Sequence, residues 1–186
     1  MDEARRDRFM EAVTAKAPDF NPLCILTHTV HETGWFSRVI GMNNYWGITT
    51  PKGWMGNVTR VPTAEMFTDI KSAQGFINRR IGDLIEIRFG REGVEPVIRT
   101  EESGSSWFNP FISVRLWRRF ADWVTPEEAV LFYVGLISRL YPAAYEHRDD
   151  PDQFFEGLVS GQFKWATDPD YVNKLKMLCG RLKYIK

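Results

Sequence analysis

Apolar positions divide the chain into a helical beginning, a mixed middle and a helical end. Phe9, Met10 and Val13 form a stripe on the charged background of residues 3–16, the pattern of a helix that packs by one face. Asn21-Pro22 supplies an N-cap and a first-turn proline for a second helix, and Gly34 is placed to end it. Within that helix Leu23, Leu26 and Val30 share one face, while His28 and Glu32, four residues apart, share another. Beyond the turn-rich Pro51-Lys52-Gly53-Trp54-Met55-Gly56, the stretch from Asn57 to Met66 is extended in character and predicts a strand. Ala73, Phe76, Ile77, Ile81, Leu84 and Ile85 return to helical spacing and predict a helix within 71–87. Val94 to Arg99 and Phe111 to Trp117 alternate as a strand pair around the loop 101–106. In the last third, Thr125-Pro126-Glu127-Glu128 has the form of a capping box and opens a helix through Leu140. Asp150-Pro151 opens another, closed by Gly161, and Asp168-Pro169 a third that runs to about Leu182. The predicted fold is mainly α, an α+β domain with a small β lobe, and 186 residues are enough for one domain with a substantial core.

Composition narrows the partners. With 24 basic and 24 acidic residues, no global field draws the chain toward nucleic acid. No stretch is long enough to insert in a membrane, and the charged N-terminus lacks the apolar run of a secretory signal, so as written the chain is not expected to export itself. Cys24 and Cys179 fall in apolar helical patterns and have no metal spacing, which makes buried reduced thiols the default reading beside a disulfide that spacing alone does not decide. Seven Trp exceed what a core of this size requires and fit a groove for a carbohydrate or another flat ligand. Oligomeric state is not legible in the sequence.

The candidate chemistry centres on Glu32, which ends the apolar run Leu23 to Trp35. A carboxyl group among apolar and aromatic neighbours is destabilised when charged, so its pKa is expected to rise and to leave it protonated for general-acid work. The bland reading is an ion pair with His28, His31 or a nearby Arg. Asn43-Asn44-Tyr45-Trp46-Gly47-Ile48 then offers amides for hydroxyl and N-acetyl groups and rings for sugar faces, so Asn44, Tyr45 and Trp46 are assigned to substrate binding, with Tyr141 beside them. Core packing explains the aromatic residues nearly as well. His28, His31 and Glu32 lack the His-Glu-x-x-His spacing of a zinc helix, so no metal is predicted. No Gly-x-Ser-x-Gly elbow or glycine-rich phosphate loop appears, and no cofactor is expected.

These motifs together resemble glycoside hydrolase family 73, the bacterial peptidoglycan N-acetylglucosaminidases. Thr29-Val30-His31-Glu32-Thr33-Gly34-Trp35 is similar to that family's Ala-Leu-Glu-Ser-Gly-Trp helix end, and Asn43 to Ile48 to its Asn-Asn-Leu-Phe-Gly-Ile element. Trp54-Met55-Gly56 through Thr63-Ala64-Glu65 resembles its Trp-x-Gly strand ending in Thr-x-Glu. Trp165-Ala166-Thr167-Asp168-Pro169-Asp170-Tyr171 resembles its Tyr-Ala-Thr-Asp-Pro-x-Tyr signature. The resemblance implies a lysozyme-like helical domain with a β-hairpin lobe over a groove, and cleavage of the β-1,4 bond after N-acetylglucosamine with Glu32 as the acid. It also implies a second carboxylate: Glu65 matches the position, with Glu101 and Glu102 as alternatives in a segment at about 67–110 that the family pattern lacks. Trp165 stands where the family has Tyr, which replaces a hydroxyl by an indole donor in the substrate groove.

The expected partner is therefore a peptidoglycan glycan strand. Muramidase or lytic transglycosylase action on the same polymer is the nearest alternative, and a non-catalytic glycan-binding or structural component of a phage or secretion assembly is the alternative of a different class. Delivery to the bacterial cell wall is expected by phage-type release, on a virion, or as part of a larger exported protein.

Overall fold

Short-range signals set most of the helix ends. In the computed structural model, which describes residues 2–67, 69–89 and 112–184, Asp2 caps α1 (Glu3–Lys16) by accepting from the Arg5 N–H. Asn21 caps α2 (Pro22–Thr33) through the Leu23 N–H, and Gly34 closes it with φ of 55°, in the left-handed region where a side chain is disfavoured. Two strands and a helix follow: β1 (Asn57–Phe67), α3 (Ile70–Asn78) and β2 (Leu84–Phe89). After β3 (Ile112–Asp122) come α4 (Pro126–Leu140), α5 (Pro142–Glu146), α6 (Pro151–Ser160) and α7 (Tyr171–Leu182). Thr125 and Asp150 cap α4 and α6 from just before a first-turn proline, as the sequence predicts.

The chain forms two compact units, Met1–Thr59 with Phe120–Lys186, and Arg60–Arg119. The first is helical. α2 is buried on several sides, through Cys24, Ile25, Thr27, His28, Thr29, Val30 and Thr33, because α1, α6 and α7 all pack against it. Its core gathers Phe9, Phe36, Tyr45, Trp46, Tyr133, Phe154 and Phe155, and α1 also packs on α4. Gly157 lets α6 lie directly on α5, since a Cβ there would overlap the Ala144 backbone. Cys24 and Cys179 are buried free thiols, and burial pushes the Cys24 thiol far above its ordinary range. At the end of β3, Asp122 Oδ1 accepts from the Met42 and Asn43 N–H groups at 2.9 and 3.2 Å, and Oδ2 accepts from the Thr59 hydroxyl at 2.9 Å.

The second unit holds a three-stranded antiparallel sheet in the order β1-β3-β2. β2 pairs with β3 through Leu84↔Leu116 and Ile87↔Val114, with an irregularity between Leu84 and Glu86. Ala73, Ile112, Val114 and Leu116 form its own small core, with Phe67, Phe76, Ile77 and Leu84 against it.

Two expectations change, and one element was not predicted. The helix predicted within 71–87 stops at Asn78, and Leu84–Phe89 is a strand, because a six-residue apolar alternation satisfies either period and β3 supplies a partner. The last helix begins at Tyr171, with Asp168-Pro169 forming the turn before it, where Asp168 Oδ1 accepts from the Asp170 N–H. The short α5 has no periodic signal of its own; it starts at Pro142 and buries Ala144 against α6. The predicted strand Val94 to Arg99 and the loop 101–106, with Glu101 and Glu102, lie outside the described residues.

Candidate active site

Glu32 stands one turn before a sharp reversal of the chain. Gly34, Trp35 and Phe36 follow one another in the left-handed region, with φ of 55°, 61° and 62°. For Trp35 and Phe36 this costs about 1–2 kcal/mol each. Local bonds and burial offset the cost. The Thr33 hydroxyl donates to the Thr29 carbonyl at 2.7 Å and accepts from the Phe36 N–H at 2.9 Å, the Trp35 N–H reaches the Val30 carbonyl at 3.0 Å, and the Phe36 ring is buried against Phe9 and Tyr45. The reversal ends α2 just past Glu32 and leaves its side chain 25 % exposed.

Two donors from a distant part of the sequence and an imidazole from the same helix converge on one oxygen of that carboxyl. The Tyr171 hydroxyl donates to Glu32 Oε1 at 2.6 Å, and the Trp165 indole N–H donates to the same atom at 3.2 Å. His28 Nε2, one turn back on α2, lies 3.5 Å from it. Oε2 makes no hydrogen bond to the described residues. Trp165 is set by its own N–H bonding to the Leu158 carbonyl, and Tyr171 by the Asp168 turn, so the loop between α6 and α7 is built to deliver both.

His28 is fully buried, with its Nδ1 2.6 Å from the Tyr133 hydroxyl and its ring edge-on to Trp165 at 4.4 Å between centroids. Tyr133 is itself fully buried and stacked on Trp46 at 4.1 Å. Burial raises the pKa of both Tyr133 and Tyr171, with the Glu32 charge adding to it, so both remain hydroxyl donors. Burial likewise lowers that of His31, against the Glu32 charge that raises it and with His28 and Lys174 adding to the fall.

The expected rise in the Glu32 pKa is reversed. Burial does push it up, but the proximity and charge of His28, the Tyr171 hydrogen bond and His31 outweigh it and hold the carboxyl at about 2. The site therefore presents a carboxylate.

The other predicted residues divide. Tyr141 is half-buried with its ring 5.4 Å from Trp165, so Tyr141 and Trp165 do come to the Glu32 site. Asn44, Tyr45 and Trp46 do not offer a binding face. Asn44 is 1 % exposed and spends its amide on the Ile48 and Ala121 backbone, Tyr45 donates to Asn43 Oδ1, and Trp46 packs inside the core. A run of amides and aromatics reads alike whether it grips a sugar or braces a loop. Glu65 belongs to the second unit, on β1, where it pairs with Arg118 of β3.

Sequence reading missed Tyr171 and Tyr133 as site residues and gave His28 only a structural part. The Asp168-Pro169-x-Tyr171 motif and the i, i+4 spacing of His28 and Glu32 are the signals that point to two of them. Tyr133 has no local signal. Elsewhere in the helical unit Trp54 meets Trp123 and Phe132 edge-on and lines a cleft of about 600 Å³ with Asp122 and Glu128. Among the described residues no group of three His, Cys, Asp or Glu converges to hold a metal ion.

The chain is similar to known proteins in sequence pattern and in fold. The family model Glucosaminidase, described as mannosyl-glycoprotein endo-beta-N-acetylglucosaminidase, matches residues 12–184. A truncated glycoside hydrolase domain of FlgJ from Salmonella typhimurium superposes with a TM-score of 0.61 at 19% identity, covering 97% of this chain and 96% of that one. A peptidoglycan hydrolase mutant from Sphingomonas sp. A1 gives 0.60 at 19% identity, covering 96% and 97%. The catalytic domain of the autolysin Auto from Listeria monocytogenes gives 0.55 at 13% identity, covering 97% and 81%. The mainly α fold with its small sheet is thus the lysozyme-like one of these structures. No curated protein sequence matches the chain.

Proposed function

Since the chain belongs to the glucosaminidase family of glycoside hydrolases, we propose that it cleaves the peptidoglycan glycan strand at the β-1,4 bond after N-acetylglucosamine, with Glu32 as the general acid. The observation that carries this reading is the asymmetry of the Glu32 carboxyl. Oε1 is fixed by Tyr171 and Trp165, while Oε2 has no partner among the described residues on a side chain that remains partly exposed. One oxygen thus orients the group and the other is free to meet a glycosidic oxygen. A glycan seated on the carboxyl removes its remaining water, which disfavours the charged form and favours the protonated acid. Proton transfer from Glu32 to the leaving oxygen then accompanies growth of positive charge on the sugar ring. The half-buried rings of Trp165 and Tyr141 flank the group as surfaces for a sugar face.

Glu65 is the second carboxylate in this reading, on the strength of its Thr63-Ala64-Glu65 motif, and its part is to steady the oxocarbenium-like charge or activate water. Peptidoglycan is favoured as substrate because structural neighbours of near-complete overlap are peptidoglycan hydrolases. The place of action is then the bacterial cell wall, reached by phage-type release, on a virion or within a larger exported protein. Among the described residues no helix is long and apolar enough to cross a membrane.

Digestion of purified peptidoglycan, followed by borohydride reduction and mass spectrometry, tests the bond and the residues together. Wild type is expected to yield reduced glucosamine ends. Glu32→Gln is expected to lose cleavage by orders of magnitude with an unchanged circular dichroism spectrum, because an amide donates no such proton, and Glu65→Gln to be slowed as well. Muramic or anhydro ends would move the reaction to a muramidase or a transglycosylase. Wild-type turnover by Glu32→Gln would remove it from the acid's role, and folded wild type that makes no fragments would favour a glycan-binding component.

A further inference from the structure

Arg5 and Arg8 stand three residues apart on α1, so both side chains leave the helix on one face. Together they line a cavity of about 280 Å³ that lies wholly within the helical unit, with Tyr45 and Asn43 also on its wall. Neither arginine is spent on a close ion pair. Arg5 meets one carboxylate, that of the exposed Asp2, at 3.8 Å. Arg8 donates from Nε to the Ala4 carbonyl at 3.4 Å and pairs with no carboxylate among the described residues. Arg6, on another face of the same helix, is by contrast held by Asp7 at 2.7 Å.

The neutral polar groups of this cavity are already committed elsewhere. The Tyr45 hydroxyl donates to Asn43 Oδ1 at 2.8 Å, and Asn43 Nδ2 donates to the Trp123 and Val124 carbonyls at 2.9 and 3.1 Å. The Met42 and Asn43 N–H groups both go to Asp122. What remains to meet a ligand is the pair of guanidinium groups. Their charges are felt at the buried wall: burial raises the Tyr45 pKa to about 12, and Arg5 and Arg8 both act against that rise. Glu127, in the first turn of α4, acts with the burial, one carboxylate charge against two guanidinium charges.

We propose that this cavity is a binding site for a phosphate monoester, held by the guanidinium groups of Arg5 and Arg8. A guanidinium presents its N–H groups as a flat fork that matches two oxygens of an anion. One such fork uses up a carboxylate, whereas the three terminal oxygens of a monoester can be shared between two forks. Arginine is charged at every working pH, so the site needs no titration of the protein to be competent. A volume of about 280 Å³ lies close to the lower bound of small-molecule pockets, about 300 Å³, and leaves room beside the anion for an organic group. Met42, Val124 and Pro126 supply apolar walls for that group. Free phosphate shares the chemistry of the anion but makes no use of those walls. The cavity shares no residue with the Glu32 site, and the inference does not depend on the reading of Glu32 as the acid.

Calorimetric titration of the full chain with glycerol 3-phosphate, at fixed ionic strength, tests the site in wild type, Arg5→Gln, Arg8→Gln and Arg8→Lys. Wild type is expected to show one saturating site. Each Gln variant is expected to bind about tenfold more weakly or worse, because a charge-assisted fork is lost while Gln keeps the helix propensity of α1. Arg8→Lys keeps the charge without the fork and is expected to fall between. Inorganic phosphate is expected to bind more weakly than the ester, and acetate more weakly still. No saturation, equal affinity in wild type and both Gln variants, or acetate as tight as the ester overturns the inference, and inorganic phosphate as tight as the ester removes the organic group from it. Glu32→Gln is expected to bind the ester like wild type, and a loss there would move the ligand to the Glu32 site. Should a Gln variant fail to fold, the arginine Nε–H resonances of intact wild type give the answer. Those of Arg5 and Arg8 are expected to shift with the ester while that of Arg6 stays, and unmoved Arg5 and Arg8 overturn the inference.

Discussion

Glu32 is partly buried beside aromatic rings and still ionised, because two donors from the connection between α6 and α7 meet on a single oxygen with His28 of its own helix close by. The linkage between that ionisation and folding has a definite sign. In the unfolded chain the carboxyl takes up a proton near its ordinary 4.5, while in the folded protein it stays charged down to about 2. The depressed pKa contributes stability above 4.5 that is lost as pH falls through the interval to about 2. Wild type is therefore expected to lose more unfolding free energy across that interval than Glu32→Gln, as read from urea transitions at neutral and at low pH. Equal losses would mean that the carboxyl titrates alike folded and unfolded. Glu32 itself was legible in the sequence as a charged residue closing an apolar helix. Its charge state was not, because Tyr171 is 139 residues away in the chain and Tyr133 lies 105 residues from His28. Local pattern carries no record of such meetings.

Among the elements, helix starts were the most legible feature, since Asn21-Pro22, Thr125-Pro126 and Asp150-Pro151 each place a capping side chain directly before a proline that favours the first turn. The stretch 71–87 was not, because Leu84 to Phe89 fits a helix or a strand until β3 is beside it. Asn43 to Ile48 was legible as a loop of special composition but not as a brace. The same amides and rings serve a core when backbone carbonyls lie within reach, as those of Ile48 and Ala121 do for Asn44. Helix contact depends on close approach at one position. Gly157→Ala gains helix propensity of about 1 kcal/mol but forces a methyl into the Ala144 backbone, an overlap that costs about 1–3 kcal/mol with little room to relax. The expected net result is a less stable protein, seen as a lower urea midpoint with an unchanged slope. A midpoint that rises would show that α5 and α6 separate at no cost.

At the scale of the whole molecule, each unit has a core of its own. Phe9, Tyr133, Phe154 and their neighbours belong to residues before 60 or after 119, whereas Ala73, Ile112, Val114 and Leu116 fill the sheet unit. Replacing residues 60–119 by a tight turn is therefore expected to leave a helical unit with a cooperative urea transition and a helical far-ultraviolet spectrum. A molten, non-cooperative product would show that the helical core depends on the sheet unit. Departure and return of the chain are stapled together, since the Thr59 hydroxyl bonds to Asp122 and Thr49 bridges to Phe120. That staple bears on descent. Within a lineage the chain beyond Glu65 can lengthen or shorten between the two anchored positions while the helical core around Glu32 keeps its closure.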